Sequence, residues 1–196
     1  MSKSDPAASK KERNKTTKWV IIIFFITILI SGTISFVSDE IMSSSSMGVA
    51  FLILLFIVLI GIIFDVIGVA VTSAEEKPFH SMAARKVPGA QESIRLLRNA
   101  ERVSSICNDV IGDNCGVVSG SASATIAAQI IQNFSFSRAQ IVALLMSALV
   151  AGLTVGGKAV GKTVAINSCT QIVYGVGKLI WVLRHWPQLL KKENKR

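Results

Sequence analysis

Gly48–Thr72 reads GVAFLILLFIVLIGIIFDVIGVAVT, and its one ionisable side chain is Asp65. A run of about 18–20 apolar residues is enough to suggest a membrane-spanning helix, and this one exceeds it. The wider stretch from Glu40 to Asp65 contains no charge between its ends, and the same holds from Asp113 to Arg138. The fold class follows: an all-α, polytopic integral membrane protein.

Outward from this stretch, the composition agrees. The chain has 196 residues, 51% of them hydrophobic and 17% charged, with a mean hydropathy of +0.54. Soluble domains average about 25% charged residues. The pattern excludes an ordinary cytosolic enzyme, a disordered protein and a secreted disulfide scaffold. The length accommodates about four spans and no sizeable soluble domain. Residues 1–18 form a basic N-terminal segment, and residues 19–37 read as an uncleaved first transmembrane helix rather than a signal peptide. A short polar loop, Ser38–Met47, with four consecutive serines from Ser43 to Ser46, leads into the second span. Residues 75–102 are charged and broken at Pro88-Gly89, after which Ile94 and Leu97 alternate with Arg95, Arg98 and Arg102. This predicts a basic amphipathic helix on the membrane face, or else a plain solvated one.

Val103–Phe134 reads as a third span, rich in Gly, Ala and Ser. Gly112, Gly116 and Gly120 recur every fourth residue, as do Gly152 and Gly156 in the fourth span, Ala139–Val155. Small residues at that spacing let helices approach closely in lipid, and the stripes predict a homodimer. A loop through Ser135–Ser137 joins these two spans. Residues 163–196 read as an interfacial helix anchored by Trp181 and Trp186, followed by a basic tail.

The net charge of +9 does not point to nucleic acid, because the cations follow the membrane pattern instead. With the N-terminus inside, segments 1–18, 75–102 and 158–196 hold 20 of the 21 Lys and Arg residues, leaving only Arg138 outside. Cytoplasmic flanks carry such an excess. The expectation is a multi-pass cell-membrane protein with both termini cytoplasmic.

Cys107, Cys115 and Cys169 are odd in number and lack a CxxC pair, so they predict neither a disulfide framework nor a zinc site. His80 and His185 stand alone. Gly156-Gly157-Lys158-Ala159-Val160-Gly161-Lys162-Thr163 fits the phosphate-loop pattern GxxxxGK[ST]. That loop works at a strand-to-helix junction, whereas the residues before Gly156 are long, alanine-rich and helical in pattern. No enzyme is expected.

The carboxylates carry more information. Asp65 lies about 12 Å from the inner end of the second span, and Asp109 and Asp113 reach comparable depth in the third. Asp109 and Asp113 are i and i+4, hence one α-helical face. Asn108, Asn114 and Gln129 add carbonyl oxygens. Ionisable groups at depth are costly and face a bundle interior or a water path. Oxygen donors suit a hard cation such as Mg²⁺. Equally, Lys158 or Lys162 could neutralise these acids to hold the bundle together.

The order of features resembles the transmembrane domain of the CorB and cyclin-M family of magnesium transporters, over about residues 50–185. The run Thr72-Ser73 through Arg85, then Ile94-Arg95-Leu96-Leu97 and Arg102-Val103-Ser104-Ser105-Ile106, resembles the family's belt and the start of its second core span. Asn114 falls where the family has an asparagine, and Gly157-Lys158-Ala159-Val160-Gly161-Lys162 falls on its Gly-Glu-x-x-Pro-Lys motif. The family's Ser-x-Ser-Glu motif falls on Asp65-Val66-Ile67-Gly68, without its serines and glutamate. Lys158 stands in place of the second glutamate and Gly161 in place of the proline. The resemblance implies a transmembrane core over residues 48–162 that binds or transports Mg²⁺ or Co²⁺. Asp65, Asp109, Asp113 and Asn114 would be the oxygen donors, with Gly157 allowing close backbone approach. The rival is a membrane scaffold or accessory subunit whose ion site a lysine neutralises.

The charge distribution makes a direct prediction: a reporter fused after Arg196 is active only when it reads the cytoplasmic face. Activity restricted to the outer face would overturn four spans in favour of five.

Overall fold

The computed structural model describes residues 6–43, 45–134 and 139–193, and among them every regular element is a helix. They are α1 (Pro6–Ser43), α2 (Met47–Ser73), α3 (Lys77–Ala84), α4 (Ala90–Arg98) and α5 (Ala100–Ser105). A π-helical segment (Ile106–Gly112) leads directly into α6 (Asp113–Phe134), then come α7 (Ala139–Asn167) and α8 (Cys169–Glu193). The expected loop at Ser135–Ser137, Arg138, the Trp186 side chain and the end of the basic tail lie outside the described structure.

Three helices are long and apolar enough to cross a membrane, over Thr17–Met42, Met47–Ser73 and Gln140–Asn167. Large apolar side chains stand exposed along them, including Phe25, Leu29, Leu52, Phe56 and Leu144. In water such surface would be costly, while lipid tails are its natural solvent.

α6 packs against α1, α2 and α7. Its direction follows from paired positions. Gly61 of α2 meets Cys115, Gly68 meets Asn108, and Leu54 shares a buried cluster with Ala122, Ile126 and Val150. α2 therefore runs antiparallel to the π segment and α6. Gly157 meets Ile62 and Gly161 meets Val66, so α7 runs parallel to α2. α1 runs with α6: Ser31 Oγ donates to Asn114 Oδ1, and farther along Gln129 Nε2 donates to the Met42 carbonyl at 3.0 Å.

A second core forms at the end of α2 where Ser73 lies. Ala70, Val71, Phe79, Leu97, Ala165 and Val173 are buried together, drawn from α2, α3, α4, α7 and α8. Phe79 is completely buried. Leu97 enters this core while Arg95, Arg98 and Arg102 stay exposed. The expected amphipathic helix is split at Asn99, whose side-chain Nδ2 caps the Arg95 carbonyl at 2.9 Å. Its apolar side faces protein. Arg102 lies 5.4 Å from the Trp19 ring centroid, a cation–π contact tying α5 to α1. Pro88-Gly89 does break the chain: Gly89 takes φ 88°, which a side chain would disfavour.

Several boundaries differ from the sequence reading. The first helix runs from Pro6 to Ser43, beyond the expected span 19–37 at both ends and through much of the expected Ser38–Met47 loop. α7 runs on to Asn167, so the final helix starts at Cys169 rather than residue 163. The phosphate-loop pattern Gly156–Thr163 lies inside α7, where its N–H groups serve the helix ladder instead of wrapping a phosphate.

The glycines also divide differently from the expected stripes. A Cβ on Gly116, Gly120, Gly152 or Gly156 would meet nothing within 4 Å, so these do not close helices within the protomer. Gly61, Gly68, Gly157 and Gly177 do: a Cβ at Gly61 would come 2.8 Å from Cys115 Cβ. At Gly177 it would strike Ser93 Oγ and stand 2.7 Å from the Gly89 carbonyl oxygen. Ser93, fully buried, donates to the Gly89 carbonyl at 3.0 Å and the Val173 carbonyl at 3.2 Å.

These approaches predict opposite outcomes for two alanine substitutions. Gly177→Ala forces α4 and α8 apart and destabilises by about 1–3 kcal/mol, as overpacking does. Gly175→Ala leaves the melting temperature unchanged or slightly raised, because helix propensity improves without a clash. Thermal melts in detergent measure both.

Candidate cation centre

Three helices meet at one ammonium. Lys158 of α7 donates from Nζ to Asp113 Oδ1 of α6 at 3.0 Å and stands 3.7 Å from Asp65 Oδ1 of α2. The Lys158 and Asp65 side chains keep only 18% and 8% of their exposure, whereas Asp113 keeps 71%. Coulomb attraction grows as water is excluded, so the inner pair is the stronger constraint. Asp65 lies about 12 Å along α2 from its Ser73 end. Gly157 and Gly161 bring α7 close enough to α2 for Lys158 to reach it.

The π-helical segment reorganises the expected carboxylate face. The Asp113 N–H donates to the Asn108 carbonyl, an i→i−5 bond in place of i→i−4. Asp109 and Asp113 both stay exposed, but only Asp113 meets Lys158. Asp109 is exposed and accepts a 2.8 Å hydrogen bond from Ser105 Oγ. The three carboxylates thus do not converge: Asp65 and Asp113 meet at Lys158, and Asp109 stands apart. Among the described residues no group of three or more His, Cys, Asp or Glu side chains is placed to hold a metal.

Asn114 also departs from the expected donor set. It is buried, its Oδ1 accepts from Ser31 Oγ, and its Nδ2 donates to the Val110 carbonyl. It locks α6 to α1. Gly157 is a contact point, since a Cβ there would strike Ile62 Cδ1.

The residue that enters instead is Asn108. Its Nδ2 donates to Ser104 Oγ at 3.1 Å, and its Oδ1 lies against Gly68, where a Cβ would collide with it. Asn108 Oδ1 and Asp65 Oδ2 are buried acceptors without a hydrogen-bond partner. Along the same seam, Asp65 Oδ1 is 3.7 Å from the Cβ position of Gly112. Asp65 and Gly68 are one turn apart on α2, facing Gly112 and Asn108, which are one turn apart on the π segment. Asn108 was visible in the sequence only as one of several carbonyl donors. What singles it out is the close approach of α2 at Gly68, which the sequence does not show.

A groove of about 460 Å³ runs between α6 and α7 and ends at the ion pair. Ser119, Ser123, Ser147 and Thr154 contribute to its wall, with Asp113 and Lys158 at its end. The open Gly116 and Gly120 are part of the same wall.

No protein-family model, curated protein or solved structure matches the chain.

The geometry separates the two aspartates of the third span. Asp109→Asn leaves the melting temperature and any cation response unchanged, because its carboxylate neither meets Lys158 nor faces Asp65. A loss of cation response in this variant would restore Asp109 to the site.

Proposed function

We propose that this chain is a multi-pass protein of the cell membrane, with a CorB-like transmembrane core whose cation position is taken by the Lys158 ammonium. It acts in this state as a non-transporting helical scaffold or accessory subunit. The observation that carries the reading is Lys158 Nζ at 3.0 Å from Asp113 and 3.7 Å from Asp65. A tethered ammonium supplies the positive charge that two membrane-level carboxylates require.

Four spans with cytoplasmic termini fit the packing. α1 and α6 point one way, α2 and α7 the other, and the π segment with α6 lies along most of α2. α6 falls short of the apolarity of the other three because α1, α2 and α7 cover it, so less of it needs to face lipid. Under this topology α3, α4, α5 and α8 form a belt at the inner surface, with the basic side of α4 outward. The open glycine faces of α6 and α7 are the surface for the homodimer.

A second reading, transport of Mg²⁺ or Co²⁺, is favoured by the groove between α6 and α7 that leads to Asp113. In that reading an entering divalent cation displaces Lys158 and takes Asp65 and Asp113 as ligands. Asp109 and Asn114, turned elsewhere here, would contribute only after rearrangement.

Melting curves of wild type, Lys158→Ala and Asp113→Asn, with and without millimolar Mg²⁺, separate the two. The scaffold reading expects a large loss in Lys158→Ala, since stranding a buried carboxylate costs about 3–5 kcal/mol. It expects a small loss in Asp113→Asn and no Mg²⁺ effect in wild type. Mg²⁺-dependent stabilisation of wild type, strengthened in Lys158→Ala, would favour transport.

A further inference from the structure

The helices beyond α2 hold charge without a partner. Where the turn Lys86–Gly89 meets α8, a cavity of about 280 Å³ is lined by Lys86, Gln91, Glu92, Trp181 and His185. The backbones beside it touch. A Cβ on Gly89 would come 2.6 Å from the Lys178 Cα, and one on Gly177 would come 2.7 Å from the Gly89 carbonyl oxygen. Glu92 keeps 8% of its exposure, and no group among the described residues donates to its carboxylate. Lys86 is exposed at the same cavity and forms no ion pair among the described residues. His185 Nδ1 donates to the Trp181 carbonyl at 2.9 Å, and the two rings stack with centroids 4.7 Å apart. In the neutral ring Nε2 is then an acceptor. The lining thus offers two acceptors that lack a donor and one cation that lacks an anion.

We propose that this cavity binds the headgroup of a membrane lipid of the phosphoethanolamine class, with its primary ammonium at Glu92 and its phosphate at Lys86. The proposal rests on the reading of α8 as a belt helix at the membrane surface. Charge selects a zwitterion. An anionic headgroup would leave the buried Glu92 without a donor, and a simple amine would leave Lys86 without an anion. Hydrogen bonding selects a primary amine. Its three N–H groups can serve both Glu92 and His185 Nε2 through charge-assisted bonds. A quaternary ammonium has no N–H to give, although the Trp181 ring attracts either cation.

Size and surroundings select a lipid. Sites for drug-sized molecules run from about 300 to 1,000 Å³, so this cavity suits a headgroup alone. Around Trp181, α8 leaves Leu179, Ile180 and Leu183 exposed. That surface suits acyl chains, with the indole ring at headgroup level. Free phosphoethanolamine shares the polar chemistry but buries none of this apolar area.

The turn supplies a probe. Lys86 takes φ 56° at the end of α3, with its N–H donating to the Ala83 carbonyl at 2.9 Å and the Val87 N–H donating to the Met82 carbonyl at 3.1 Å. Glycine is the usual residue at that helix-closing position. Lys86→Gly therefore favours the fold while removing the ammonium.

The test is thermal melting of the full chain in maltoside detergent, with added phosphatidylethanolamine, phosphatidylcholine or phosphatidylglycerol of identical acyl chains. Wild type should gain about 3–6 °C at a phosphatidylethanolamine level ten times its dissociation constant, with saturation. The other two lipids and soluble phosphoethanolamine should give no saturable gain. Glu92→Gln should need about tenfold more phosphatidylethanolamine for the same gain. Lys86→Gly should melt higher than wild type in detergent alone, yet show the same weakening. If Glu92→Gln does not fold, Lys86→Gly decides. No gain from phosphatidylethanolamine in wild type would overturn the proposal. Equal gains from phosphatidylethanolamine and phosphatidylcholine would also overturn it, since the N–H donors would then count for nothing. A gain of undiminished affinity in both variants would place the lipid elsewhere. A gain from soluble phosphoethanolamine as large as that from the lipid would overturn the lipid assignment. Failure of the inner-surface reading is a separate result: a reporter after Arg196 is then active only on the outer face, while the lipid-dependent melts, which do not depend on the leaflet, are unchanged.

Discussion

Lys158 reaches from α7 to carboxylates on two other helices, and much of the molecule is arranged so that it can. An ionised carboxylate at the depth of Asp65 is tolerable only with a partner or water. The partner is a long side chain, so α7 must sit within its reach and in a fixed register relative to α2. Gly157 and Gly161 set that distance, against Ile62 and Val66. Moving α7 by one residue would turn Lys158 away from both acids.

Glycine at the seams suits helices of this apolarity, because apolar burial cannot hold helices together in lipid. Tails solvate Leu and Phe as well as a neighbouring helix does, so close contact, hydrogen bonds and ion pairs decide association. The helices accordingly meet at Gly61, Gly68 and Gly157, and polar side chains tie them: Ser31 to Asn114, Gln129 to the Met42 carbonyl, Lys158 to the two aspartates. The π segment lies beside the most crowded of these seams, where Asn108 presses on Gly68. The helices beyond α2 follow a different rule. Phe79, Leu97 and Val173 make a small apolar core like that of a soluble protein, and the Gly89–Ser93–Gly177 contact holds α8 on α4.

The all-helical class and the apolar spans were legible in the sequence because they depend on local composition. A helix satisfies its own backbone, so length and apolarity are enough to recognise α2 from residues 48–72. The break at Pro88-Gly89 is likewise local, since it follows from ring geometry and a positive φ. Lys158 as a counter-charge was legible as one of two alternatives, because charge balance is a property of the list of residues.

Which oxygen faces which neighbour was settled only in three dimensions. Asp109 and Asp113 are four residues apart, yet one bonds Ser105 and the other Lys158, and sequence spacing does not say which. Asn114 carries the same amide as Asn108, yet one reaches Ser31 on α1 and the other lies against α2. The glycine stripe at Gly112, Gly116 and Gly120 has a visible period, but only Gly112 packs closely within the protomer, because a period does not say what stands opposite. Composition and periodicity act along one chain segment, and they determined an all-helical chain with helices long and apolar enough to cross a membrane. The partner of each polar atom depends on register between segments far apart in sequence, and that the tertiary packing alone decided.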